Sequence, residues 1–331
     1  MFYIFIFFFT LFAIYIARFV APFLKLVDLP NKRKTHEGAI PLVGGPIIII
    51  SILISNFYFN YDDLISLIIF STIIIFLFGF FDDIFTIGIV PRLISQFLAV
   101  LILVGSGFII FDFGEYQYLN ISLGKASIVF TAFAIAGLTN SINFIDGLDG
   151  LCASIFITSI VSLIFLFLLQ DAKFNDIEIL INLVVIVFAF LLLNLKLFQS
   201  WKVFLGDSGS LSLGFILSSL LIYYTQFSNI KLDPVVILWC VTLPVYDLLA
   251  VTTKRILNKT NPFKPDRTHI HHLILKRGHS NKTTLLILVL ISLFLNFFGF
   301  GLFYFFGPDL SLFLYFFIFF LYFVTNYKKY I

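Results

Sequence analysis

An all-α, polytopic bundle of about eleven membrane-spanning helices is the fold class this sequence predicts, on three observations. Of 331 residues, 60% are hydrophobic and 12% charged, with a mean hydropathy of +1.08, outside the range of soluble globular domains. The apolar residues form long continuous runs instead of alternating with polar ones, which is the helical pattern and not that of a β-barrel, despite the 47 Phe. The Lys and Arg residues are segregated into alternate loops.

Taken in order, the runs are 2–24, 40–56, 64–80, 91–111, 125–142, 151–170, 178–197, 208–226, 233–252, 284–306 and 310–326. Each is about the 17 to 25 residues that a helix needs to cross a bilayer. The first run lacks the basic leader and small-residue cleavage site of a secretory signal and is too long for one, so it is expected to stay as the first helix. Cys152 and Cys240 fall in separate apolar runs, without metal-knuckle spacing, and read as core residues. No internal repeat or soluble domain is evident, and nothing in the composition points to nucleic acid.

With the N-terminus outside and eleven alternating helices, one face collects seventeen basic residues, among them Lys25, Lys32, Arg33, Lys34, Arg92, Lys202, Lys254, Arg255 and Arg267. The other face collects three, Lys125, Lys173 and Lys231. The crowded face is therefore expected to be cytoplasmic, with the C-terminus on it. The assignment used cations only, yet Asp82 and Asp83, Asp146 and Asp149, and Asp207 reach the same face, and Asp247 approaches it. The outward acids, such as Asp62, Asp112 and Glu178, sit in ordinary loop contexts.

Carboxylates that border hydrocarbon are costly and mark functional sites. Asp82 and Asp83 are adjacent where the third helix leaves the membrane; they read either as solvated interface residues or as a pair that binds a divalent cation or accepts a proton. Asn140, Asn143, Asp146 and Asp149 recur every third residue, as on one helix face, although the two Asp-Gly pairs can also be turns, with Asp149 as a helix N-cap. Asp207, in 204–210, opens the eighth helix among small residues; it can cap that helix and still offer an oxygen to Mg2+. His269, His271 and His272 follow Arg267 in the longest polar segment, 253–282, whose eight basic residues suit a diphosphate better than zinc.

In that order the motifs resemble the polyprenyl-phosphate N-acetylhexosamine-1-phosphate transferase superfamily (glycosyltransferase family 4). They run from Asp28-Leu29-Pro30, Arg33, Lys34, His36 and the Gly44-Gly45 pair through Asp82-Asp83, 143–151 and 204–210 to Pro244, Asp247 and 262–273. The form of the histidine cluster resembles the WecA/TagO-like branch and differs from MraY-like enzymes. Ser208 stands where some relatives have Ala or Thr, a change without evident chemical weight.

The resemblance implies one integral membrane transferase domain over 1–331, with cytoplasmic active-site loops at about 25–39, 81–91, 143–150, 198–210 and 253–283. It implies transfer of an N-acetylhexosamine 1-phosphate, GlcNAc-1-phosphate above all, from a UDP-N-acetylhexosamine to undecaprenyl phosphate in the bacterial inner membrane. The cofactor implied is Mg2+, with Mn2+ as an alternative; membrane lipids and a homodimer are the further partners. Asp82, Asp83, Asp146 and Asp149 are the catalytic candidates, and Asp207, Asp82 and Asp83 the metal ligands. Asn143, Lys34, Arg267, His269, His271 and His272 are the substrate-binding candidates. An MraY-like donor and, more remotely, an ion-coupled transporter are the alternatives.

Overall fold

The computed structural model describes residues 1–30, 38–117, 122–195, 201–261 and 268–327. Helices dominate: α1 Phe2–Val20, α2 Gly44–Phe59, α3 Asp63–Phe85, α4 Ile89–Gly105, α5 Ser127–Ile145, α6 Leu151–Leu169, α7 Phe174–Asn194, α8 Gly206–Gln226, α9 Pro234–Cys240, α10 Thr242–Leu257, α11 Ile270–Lys276 and α12 Asn281–Tyr327. Two short strands, β1 Val27–Asp28 and β2 Ile40–Pro41, pair antiparallel. Among the described residues, seven helices are long and apolar enough to cross a membrane, or up to eight if the bent pair α9 and α10 is one span. The protein is thus a multi-pass membrane protein.

The ninth predicted run is not one straight helix: α9 and α10 meet at an angle of 81°. Pro244 explains the break. It has no N–H to give to the carbonyl of Cys240, and its ring would clash with that carbonyl in a continuous helix. The freed Cys240 carbonyl instead accepts the Ser159 hydroxyl of α6 at 2.8 Å, so the break is satisfied without water. α12 is interrupted in the same manner, with Gly307 at φ 82° followed by Pro308.

α8 is the axis of the bundle. In its most apolar stretch 89% of the residues are buried, against 17% for α1 at the periphery. It packs most extensively on α3 and α5, and small residues make this possible: a Cβ on Gly79 of α3 would lie 2.6 Å from the Ser208 Cα. Large apolar side chains on the outer helices, such as Phe8, Phe133 and Phe305, are exposed, as a lipid-facing surface requires.

The chain ahead of α8 is stitched to the start of α2. Phe204 N–H donates to the Pro41 carbonyl at 2.8 Å, and the Gly44 and Gly45 N–H groups donate to the carbonyls of Phe204 and Leu205 at 3.0 and 2.9 Å. Two orphan donors of the α2 N-terminus are thereby satisfied by backbone alone.

Candidate active site

The C-terminal ends of α3 and α5 and the N-terminal ends of α4 and α8 meet at one end of the bundle, and the motif carboxylates collect there. Asp83, on the last turn of α3, caps α8 from outside that helix. Its Oδ1 accepts the Asp207 N–H at 2.7 Å, and its Oδ2 accepts the Ser208 N–H at 3.1 Å and the Ser208 hydroxyl at 2.6 Å. A carboxylate on the free N–H groups of a helix start is a charge-assisted arrangement favoured by the helix dipole. Gly206 has φ +77°, and a Cβ there would lie 2.5 Å from Asp83 Oδ2, so glycine is required twice over.

Capping of α8 therefore falls to Asp83 and not to Asp207, and Ser208 carries chemical weight through its hydroxyl. Relieved of the cap, Asp207 points into the site. Asn143 of α5 donates to Asp207 Oδ1 at 2.8 Å and to the Ser210 hydroxyl at 2.8 Å. Arg92, at the start of α4, donates to Asp207 Oδ1 and Oδ2 at 3.3 and 2.7 Å. The same guanidinium pairs with Asp82, which also accepts the Gly88 N–H at 2.9 Å. Asp82 is buried and Asp207 partly open. A single cation thus ties the ends of α3 and α8 together.

On the α5 side the three-residue rhythm is helical only in part. α5 ends at Ile145, so Asn140 and Asn143 lie on its last turns, while Asp146 and Asp149 follow in a turn. The cap of α6 is Gly150, at φ +78°. Its N–H is held by the side-chain oxygen of Asn194 on α7, whose amide also donates to the Val203 carbonyl at 2.8 Å. Asp149 pairs with Lys202 at 2.6 Å.

Asp146 has no hydrogen bond or ion pair among the described residues. Asp146 itself is exposed, with protein packed around its carboxyl. That crowding, with the charges of Asp207, Asp83 and Asp149, pushes its carboxyl up to about 8.

The histidine segment is braced from behind by Asp247. This buried carboxylate accepts His269 Nδ1 at 2.7 Å, the Ile270 N–H at 2.8 Å and the Tyr322 hydroxyl at 3.3 Å. His269 is thereby fixed and α11 begins beside it. His271 is 1% exposed, and neither ring nitrogen has a partner among the described residues. Burial, reinforced by His272 and His269, lowers its basicity to about 3, so it is a neutral imidazole.

Its Nε2 lies against Gly147, where any Cβ would collide with the ring. The second Asp-Gly motif and the histidine motif thus meet face to face. The His272 ring stacks at a tilt 4.1 Å from that of His271.

Lys34 and Arg267, like His36, lie outside the described residues. The other sequence candidates fall into two groups at the same bundle end: Asp82, Asp83, Asn143 and Asp207 on one side, and Asp146, Asp149, His269, His271 and His272 on the other. Arg92, Lys202 and Asn194 were missed. Arg92 had a faint signal, being the one cation in the segment that follows the Asp pair. Asn194 had only its place at the end of an apolar run.

Among the described residues no three His, Cys, Asp or Glu side chains are gathered as a metal-holding group. Asp82 and Asp207, from different helices, nevertheless converge on one positive group, and hard carboxylate oxygens of this kind fit Mg2+.

A helical membrane protein with a carboxylate-rich site at one end of its bundle, faced by a histidine cluster, is the class that fold and site define. Residues 65–225 match the family described as glycosyl transferase family 4. An undecaprenyl-phosphate alpha-N-acetylglucosaminyl 1-phosphate transferase of Yersinia pestis is 31% identical over 303 residues, covering 89% of this chain and 82% of its own length. Transferases with the same name from Salmonella typhi and Escherichia coli K12 are 32% and 31% identical, each covering 87% of this chain and 79% of their own. The chain belongs to glycosyl transferase family 4, the polyprenyl-phosphate N-acetylhexosamine-1-phosphate transferases.

Proposed function

We propose that the protein transfers N-acetylglucosamine 1-phosphate from UDP-N-acetylglucosamine to undecaprenyl phosphate. UMP leaves, and a lipid-linked sugar diphosphate remains to begin a cell-envelope polysaccharide. One observation carries the reading: five motif aspartates, an arginine and a histidine cluster from separate parts of a membrane-embedded chain face one another at a single end of the bundle. An acceptor whose tail is in lipid and whose phosphate is at the interface needs its partner groups there, and nowhere deeper.

In the reaction a phosphate oxygen of the acceptor attacks the sugar-bearing phosphorus of the donor, and the bond to the UMP oxygen breaks. Catalysis of such a transfer is chiefly positioning and neutralisation of charge. Asp207, oriented by Asn143 and Arg92, and Asp82 are the residues that would hold Mg2+, which when bound neutralises the diphosphate. Asp83 fixes the start of α8 and so the position of Asp207. Arg92 is placed to exchange a carboxylate for a phosphate oxygen. Asp146, without a partner among the described residues, is the group free to take a proton from the acceptor phosphate. His271 can offer a neutral N–H to the departing phosphate, with His269, His272, Lys34 and Arg267 completing the binding of the nucleotide.

The finer topology follows the same reading. At about 1.5 Å per residue α12 is roughly 70 Å long, more than twice the ~30 Å hydrocarbon thickness, so its break at Gly307 and Pro308 divides two spans. With α9 and α10 as one bent span and with α2 and α4 crossing, the count is eleven. The N-terminus then lies outside, and the site and C-terminus lie on the cytoplasmic face of the bacterial inner membrane.

The test is UMP release by purified protein given undecaprenyl phosphate and, separately, UDP-N-acetylglucosamine, UDP-N-acetylgalactosamine or UDP-MurNAc-pentapeptide, with and without EDTA. EDTA-sensitive UMP from the first donor alone is expected. UMP from the pentapeptide donor only would move the protein to the MraY-like reading.

A further inference from the structure

A second pocket lies away from the carboxylates, between α10, α11 and both halves of α12. It is a groove of about 260 Å³, near the small end of ligand pockets, which hold roughly 300–1,000 Å³. Its walls are apolar and periodic. Ile270 and Ile274 face it from α11, and Ile287, Ile291 and Leu295, four residues apart, face it from the first half of α12. Ile291 is 39% exposed, so the groove opens on the lipid-facing side.

Its polar end is the turn after α11, which contributes Arg277 and His279. The Arg277 guanidinium has no hydrogen bond or ion pair among the described residues, and no carboxylate lines the groove. None of the lining residues belongs to α3, α4, α5 or α8, the helices whose ends frame the carboxylate site.

We infer that this groove binds an anionic glycerophospholipid of the surrounding bilayer, with one acyl chain along Ile287, Ile291 and Leu295 and the headgroup phosphate on Arg277 and His279. An apolar slot that ends in an arginine without a partner among the described residues, at a membrane edge, matches that amphiphile in both halves. Arginine pairs with phosphate through charge-assisted bonds, and an anionic leaflet attracts a basic side chain at its surface. Two groove residues, Ile270 and Tyr322, also bond to Asp247, so an occupant presses on the brace of the histidine segment. The inference rests on the membrane placement proposed above and not on the choice of donor.

Binding is measured on the full-length protein in detergent, by native mass spectrometry with added phosphatidylglycerol, phosphatidylcholine or undecaprenyl phosphate. The variants are Arg277→Ala, at an exposed position, and Ile291→Trp, which fills the slot; thermal midpoints in lipid-free detergent check that both fold. Wild type is expected to retain one phosphatidylglycerol in preference to phosphatidylcholine. Arg277→Ala should weaken this about tenfold, the equivalent of ~1.4 kcal/mol, and Ile291→Trp should abolish it.

Equal retention of the two phospholipids, or retention unchanged in both variants, would overturn the proposal. Displacement of phosphatidylglycerol by equimolar undecaprenyl phosphate would also overturn it, by giving the groove to the acceptor. No donor sugar enters the measurement, so a failed transferase assay leaves its outcome separate.

Discussion

The two halves of the site are built from the same residue type and use it in opposite ways. On the α3 and α8 side every oxygen of Asp83 and Asp207 is engaged: Asp83 by the α8 backbone and Ser208, Asp207 by Asn143 and Arg92. On the other side, among the described residues, Asp146 has no partner and His271 keeps two unspent nitrogens. Oxygens already engaged by helix-start N–H groups, as at Asp83, hold the frame, whereas an exposed and unsatisfied carboxylate can bind or move a proton. An aspartate in a motif is thus a frame element or a reagent according to who already bonds to it.

The largest effect should come from breaking the frame. Asp83→Ala leaves two helix-start N–H groups and the Ser208 hydroxyl without their acceptor, and a buried unsatisfied donor costs about 1–3 kcal/mol. Thermal midpoint and activity should fall together. Asp83→Asn should rescue little, because its amide sets N–H against N–H. An Asp83→Ala protein with a wild-type midpoint and no activity would show Asp83 to be a reagent instead.

Asp146→Asn is the converse. Activity should drop roughly 10²- to 10³-fold, the range for a lost acid–base group, while the midpoint holds. In the parent, crowding keeps the Asp146 carboxyl protonated below about 8. The working anion exists above that value, so kcat/KM should rise with pH through it, and the limb should vanish in the variant. A limb that persists in Asp146→Asn would remove Asp146 from proton transfer.

Much of this was legible in the sequence, for a physical reason. Hydrocarbon makes charge expensive, so the long apolar runs and the few acids between them expose both the helices and the end of the bundle where chemistry sits. What stayed hidden depends on partners distant in the chain. Asp207 reads as a helix cap because Asp at a helix start usually is one; the residue that takes its place lies 124 positions earlier, at Asp83. Pro244 stood in plain view in the ninth run, but the 81° bend was not drawn from it. Its partner, Ser159 on α6, is one of many small polar residues in apolar helices and carries no mark of its own.

The contact between the halves is tested at Gly147 and His271. Gly147→Ala drives a methyl into the imidazole; overpacking of this kind costs typically 1–3 kcal/mol, and activity should fall more than stability because the histidine is displaced. The neutral state of His271 has its own signature. Its basicity is lowered in the folded protein to about 3, from an ordinary 6.5. The unfolded chain therefore takes up a proton first as pH falls. The stability is present in full above 6.5 and is lost between there and about 3, at up to ~1.4 kcal/mol per pH unit for one proton. His271→Gln should flatten the fall in thermal midpoint between pH 6.5 and 5. An equal slope in both proteins would place the acid sensitivity elsewhere.

The smallest effect separates the two aspartates of the turn. Asp149 is paired with Lys202 near the surface, and such pairs contribute about 0–1 kcal/mol, so neither Lys202→Met nor Asp149→Asn should move the midpoint much. Their influence on Asp146 should differ in sign. The Asp149 charge is one of the causes that raise the Asp146 carboxyl, and the weakest of them. Asp149→Asn should shift the pH limb down by about a few tenths of a unit, whereas Lys202→Met, which leaves that charge uncompensated, should shift it up. Opposite shifts of this size would tie the limb to Asp146 through its neighbours. Shifts in the same direction would mean that Asp149 titrates in its own right, and that the unsatisfied half of the site holds two reagents and not one.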